Sequence, residues 1–164
     1  VEHSATRIWR KLTRADRQAA ARRFFEQPPA EALAGALGAI VKARHVRPQV
    51  ARSMPPEAQA AALAAVADPG EGVAASLLVA LHLGERRALL RSFLDAAGIA
   101  HEDGLIQDDD TAALDEAKGR AAVQAVARAF PRAEVDVYLN VLWQQDPDRW
   151  AVLEGYPAWL EEGS

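Results

Sequence analysis

The sequence predicts an all-α protein, a single helical domain over residues 1–164 built as a bundle of about seven to nine helices or as stacked antiparallel helix pairs. Three observations lead there. Alanine, the strongest helix former, supplies 37 of the 164 residues, while β-branched and aromatic residues are too sparse to build several strands. Apolar positions recur every three to four residues along most of the chain. Most prolines, and glycines such as Gly70, Gly84 and Gly98, fall at the ends of those periodic stretches. A chain of this length buries roughly 70% of its unfolded surface, enough for a core that needs no staple.

A short helix carries Ile8, Trp9 and Leu12. Thr13, with Asp16 three residues on, caps the next, whose stripe runs through Ala20, Phe24 and Phe25 until Pro28-Pro29 stops it. Residues 29–45 place Leu33, Leu37 and Ile40-Val41 at helical spacing, and Gly35 and Gly38 there allow close helix packing. Pro48 suits the first turn of a short helix, and Pro55-Pro56 opens another that turns Leu63 and Val66 inward before Asp68-Pro69-Gly70 breaks the chain. Residues 73–83 are nearly all apolar and predict the most central helix. After Gly84, a helix from Glu85 buries Ala88, Leu89, Phe93 and Leu94, then ends at Gly98-Ile99 in a left-handed glycine stop. An irregular stretch follows. Asp110 or Thr111 caps a long helix whose face runs through Leu114, Ala117, Ala121, Ala125 and Val126. Pro131 separates it from a helix holding Val135, Tyr138, Leu139 and Leu142, and Pro147 and Pro157 punctuate an aromatic tail. The likeness of Arg22-Arg23-Phe24-Phe25 to Arg91-Ser92-Phe93-Leu94 is too loose for a solenoid repeat.

Composition removes several function classes. There is no cysteine, so disulfides, thiolate nucleophiles and cysteine-ligated metals are excluded, and a cytoplasmic setting is the simplest expectation. The longest strongly apolar run spans 11 residues, against about 20 for a membrane helix. Ser76 and Ser92 lie inside helices without a nucleophile elbow, and no glycine run resembles a phosphate cradle. No cofactor is implied.

Three segments are candidates for function. The first is His101-Glu102-Asp103-Gly104 followed by Asp108-Asp109-Asp110, an oxygen-rich stretch in which an imidazole stands beside carboxylates suited to hard cations. The motif tests fail: Ile99 occupies the first ligand position of an EF-hand loop, and Leu105 stands where a zinc-protease helix needs its second histidine. Turn and capping chemistry account for the same residues. His82 and Glu85 stand three apart, but Arg86 breaks the inverted zinc-protease pattern, and no glutamate-first pairs make a di-iron site. His45, without an acidic neighbour, reads as a cation at a helix end.

The second candidate is the C-terminal aromatic group, Trp143, Trp150, Tyr156 and Trp159. Exposed, such rings anchor protein interfaces; folded back, they close the end of a core. The third is charge. Residues 1–52 carry 11 basic and 4 acidic side chains, net +7, and residues 53–164 carry 8 basic and 19 acidic, net −11. Arg7, Arg10, Lys11, Arg14, Arg17, Arg22 and Arg23 lead the basic half, but at 100° per residue they scatter around the helix, which argues against a nucleic-acid stripe. The expectation is therefore a non-enzymatic protein-interaction module without nucleic-acid or membrane partners. A metal-assisted enzyme using His101 to Asp110 is the alternative, and nucleic-acid binding through residues 7–23 the second.

Overall fold

The structure, a computed structural model, describes residues 1–107 and 112–162. It is all-α: the described residues form ten α-helices, a short 3-10 helix and a two-stranded hairpin. The contacts gather into two compact units that meet in sequence at Glu85 and Arg86.

The N-terminal unit holds α1 (Ala5–Lys11), α2 (Arg14–Glu26), α3 (Ala30–Arg44), α4 (Pro48–Ser53), α5 (Pro56–Ala64) and α6 (Glu71–Leu83). Local chemistry sets most of these boundaries. The Thr13 hydroxyl accepts from the Asp16 N–H at 3.1 Å, as the spacing predicts. Pro48 and Pro56 each occupy a first helical turn, where a missing N–H breaks no ladder bond. Gly70, at φ +92°, takes a backbone conformation that favours glycine and so ends the α5–α6 connection.

The apolar α6 is central to this unit, packing on α1, α2 and α3. It buries Val73, Ala74, Leu77, Leu78, Leu81 and His82. One of the two glycines of α3 explains the close approach of that helix: a methyl group at Gly35 would sit 2.9 Å from Cγ2 of Val73, whereas Gly38 faces open space. The inward face of α3 is Ala32, Ala36 and Ile40, with Leu33, Leu37 and Val41 only half-buried. Small residues thus lie at the helix contact, and the larger leucines flank it. Val66, expected inward beside Leu63, is also only half-buried. It lies beyond the last turn of α5.

The C-terminal unit holds α7 (Arg87–Ala97), β1 (His101–Glu102), β2 (Leu105–Ile106), α8 (Glu116–Ala129), α9 (Arg132–Gln145), the 3-10 turn Ala151–Gly155 and α10 (Tyr156–Glu162). Helix α7 buries Leu89, Leu90, Phe93, Leu94 and Ala97, a regular helical stripe that leaves Ala88 exposed. It ends as expected: Gly98 adopts φ +69°, and the Ile99 N–H donates back to the Leu94 carbonyl at 2.9 Å.

Two features of this unit differ from expectation. Residues 101–106 are a hairpin rather than irregular coil, with Asp103 at φ +51° and Gly104 at φ +91° making its two-residue turn. Both central residues at positive φ is the turn whose twist matches paired strands. Helix α8 starts later than predicted, because Asp115 is its cap, its carboxylate accepting from the Ala117 and Lys118 N–H groups. Leu114 lies outside the helix and donates its N–H to the Arg149 carbonyl. Asp110 and Thr111, the predicted caps, lie outside the described residues. The buried face of α8 is Gly119, Ala122, Val123 and Val126, while Ala117, Ala121 and Ala125 face solvent. The valines carry more apolar area than alanine and take the inner side.

Candidate functional site

The side chains of His101 and Asp103 are engaged by the hairpin turn and by α7. Nδ1 of His101 accepts the Gly104 N–H at 3.1 Å, which leaves the ring proton on Nε2, 2.9 Å from the Asp95 carboxylate. Asp103 accepts from Arg87 at 2.5 Å and from Arg91 at 3.1 Å. The Arg87 hydrogen bond, with Arg91 adding to it, holds the Asp103 carboxyl below its ordinary value. Glu102 is exposed, and Asp108 lies outside the described residues with Asp109 and Asp110. Among the described residues no three histidines or carboxylates gather in a metal-binding arrangement. His82 belongs to the other unit, buried in α6, with Nδ1 2.7 Å from the Leu78 carbonyl one turn back.

The C-terminal rings are interior. Trp150 and Tyr156 are each 2% exposed and Trp159 5%, while Trp143 is half-buried. Phe93 meets the rings of Tyr138 and Trp150 edge-on, with centroids 5.4 and 6.2 Å away, an arrangement favoured by the ring quadrupoles. Arg149 and Arg120 lie over Trp150 and Trp159, at 5.0 and 5.6 Å from the ring centroids. The Tyr156 hydroxyl donates to the Asp136 carboxylate and accepts from Asn140 Nδ2 at 2.8 Å. Burial first, then the bond to Asp136, pushes the Tyr156 phenol up from its ordinary value; burial alone does so for Tyr138. Trp150, Tyr156 and Trp159, read from sequence as binding residues, are thus in the positions that close a core.

Much of the basic N-terminal stretch is likewise occupied. Arg10 pairs with Asp68 at 3.0 Å and Arg23 with Glu26 at 3.0 Å. Arg17 donates to the carbonyls of Trp9 and Arg10 and lies 5.7 Å from the Trp9 ring centroid. Arg10 ties α1 to the α5–α6 connection, and Arg17 ties α2 to α1. The indole of Trp9 adds a hydrogen bond of 2.8 Å to the Val66 carbonyl in that connection.

A different place in the N-terminal unit is open. Between the C-terminal half of α3 and the α5–α6 connection lies a groove of about 660 Å³, with Gly38, Lys42 and His45 on one wall and Val66, Asp68 and Gly70 on the other. Ala39 and Ala43 add only methyl groups to the helical wall. A methyl group placed at Gly38 or Gly70 would meet no atom within 4 Å, so bare backbone faces the opening. His45 ends α3 in the left-handed conformation, at φ +53°, and is exposed. Asp68 is engaged by Arg10 and by the Gly70 N–H at 3.1 Å. This groove was not found in the sequence. The signal was there: residues 32–56 contain Lys42, Arg44, His45, Arg47 and Arg52 and no acidic residue.

No family model matches the chain, and neither curated proteins nor solved structures show a significant likeness to it. No helix among the described residues is long and apolar enough to cross a membrane.

Proposed function

We propose that this chain is a helical protein-interaction module whose contact site is the groove between α3 and the α5–α6 connection. The observation that carries the reading is the open trough walled by Gly38, Ala39, Ala43 and Gly70, where a peptide backbone can approach helix backbone closely. Volume alone does not define a binding site. What favours this groove over the C-terminal rings is access, since those rings are already buried by their own unit. A chain without cysteine suits a cytoplasmic partner.

The test is selection of displayed random peptides on the wild-type chain, with counter-selection on Gly38→Phe. Gly38 lines the trough and a Cβ there meets no atom within 4 Å, so the phenylalanine enters the trough from its helical wall. Peptides that bind wild type and lose at least about tenfold in affinity on Gly38→Phe support the reading. Enrichment that ignores the substitution, or no enrichment at all, removes it.

A further inference from the structure

We infer that the groove takes an acidic protein segment, recognised by Lys42 and His45. The inference rests on the interaction reading above and adds the chemistry of the partner.

Charge pairing is unevenly distributed over the N-terminal unit. On α1 and α2, Arg10 is neutralised by Asp68 of the α5–α6 connection and Arg17 is bound to the carbonyls of Trp9 and Arg10. Along α3 and α4 the pattern reverses. Lys42, Arg44, His45, Arg47 and Arg52 take part in no ion pair among the described residues. Two of them, Lys42 and His45, stand on the groove wall. Asp68, the one carboxylate among the described residues there, is paired with Arg10. The site therefore presents net positive charge beside exposed backbone and small apolar side chains.

Cations at a helix C-terminus also complement its dipole, which accounts for positive residues near position 44. Glycine is the commonest residue at such a left-handed stop, and histidine is among the side chains that take this conformation more often than most. At His45 the stop also places an imidazole on the groove wall. An acidic segment gives that ring and the Lys42 ammonium carboxylate partners, with alternate small side chains resting on Ala39 and Ala43. A nucleic acid is the weaker fit, since the described residues lining the groove include no phenylalanine, tyrosine or tryptophan for base stacking.

The experiment is fluorescence anisotropy with the full chain and three labelled probes of equal length: alternating glutamate-alanine, alternating glutamine-alanine, and single-stranded DNA. The glutamate peptide is expected to bind at low salt at least about tenfold more tightly than the glutamine peptide and to weaken as salt rises. Lys42→Gln and His45→Gly are each expected to lower that affinity several-fold. Because His45→Gly relieves the left-handed cap, loss of binding in a variant at least as stable as wild type cannot come from misfolding.

If the glutamine peptide binds equally well and Gly38→Phe abolishes both, the groove is an interaction site but the acidic chemistry is wrong. If neither peptide binds, this inference is overturned, and the peptide selection on Gly38→Phe decides the broader reading on its own. DNA binding tighter than that of the glutamate peptide, and lost in Lys42→Gln, overturns the inference in favour of a nucleic-acid site.

Discussion

Glu71, at the start of α6, caps the start of a different helix: its carboxylate accepts the Ser4 hydroxyl at 2.5 Å and the Ala5 N–H at 2.8 Å. Ser4 is the cap of α1, accepting from the Arg7 N–H at 3.2 Å, so one carboxylate joins the first turns of two helices 66 positions apart in sequence. The Ser4 hydrogen bond is the largest of the influences that lower the Glu71 pKa. A carboxyl held low in the folded state contributes stability above its unfolded value and loses that contribution as pH falls through the folded one.

Glu71→Gln is accordingly expected to cost about 1 kcal/mol near neutral pH, a figure kept small because the side chain is exposed. The difference from wild type should shrink as acid protonates Glu71. Urea denaturation at about pH 7 and about pH 3 checks this. A difference that stays constant with pH would contradict the charge-based cap.

The contact of Gly35 with Val73 predicts a coupling between α3 and α6. Gly35→Ala gains about 1 kcal/mol of helix propensity, but its methyl group would lie 2.9 Å from a stiff β-branched side chain. The substitution is expected to be neutral or destabilising in wild type and stabilising in a Val73→Ala background. A double-mutant cycle should give a coupling of at least about 0.5 kcal/mol; strict additivity would show that the helices are not in close contact there.

Gly104 is constrained twice, by φ +91° and by Leu90, whose Cδ2 would lie 2.4 Å from an added methyl group. Leu90 can rotate away, but the backbone cannot change without opening the turn. Gly104→Ala should therefore destabilise the chain by about 1–3 kcal/mol and weaken the hairpin hydrogen bonds between residues 101 and 106. Amide exchange across these strands that is as slow as in wild type would refute the turn assignment.

The chain has only two tyrosines, and both phenols are pushed up by burial. A raised pKa means that each contributes stability below its unfolded value of about 10 and loses it as pH rises toward the folded value. Alkaline titration is expected to show phenolate absorbance appearing together with unfolding, not before it. Tyr156→Phe removes one partner each from Asp136 and Asn140 and should cost about 1–3 kcal/mol. Phenolate signal well below the unfolding transition would mean that a ring is reachable by solvent in the native state.

The candidate site was legible only in part. The hydrogen bonds of Asp103 to Arg87 and Arg91 join residues 16 and 12 positions apart, and no local pattern links them. Turn chemistry accounts for His101 in the sequence, but only the structure places the Gly104 N–H and the Asp95 carboxylate on its two nitrogens. The Asp103-Gly104 pair does carry a hairpin signal, but strands of two residues are too short to show alternation. The groove escaped because its walls are glycine, alanine and a chain break, which in sequence resemble ordinary helix and turn.

By itself the sequence determined the helical class, most element ends, and the inward residues of α9, since caps, proline positions and strong apolar periodicity act within a few residues of backbone. Only the tertiary structure decided which side of α8 is buried, because alanine on every face offers little difference in apolar area and the choice passes to Val123, Val126 and the helices that receive them. It likewise decided which cations are neutralised: Arg10 meets Asp68 across 58 positions while Lys42 and His45 meet no carboxylate among the described residues. Such pairings depend on distances in space, which charge counts along a chain do not contain.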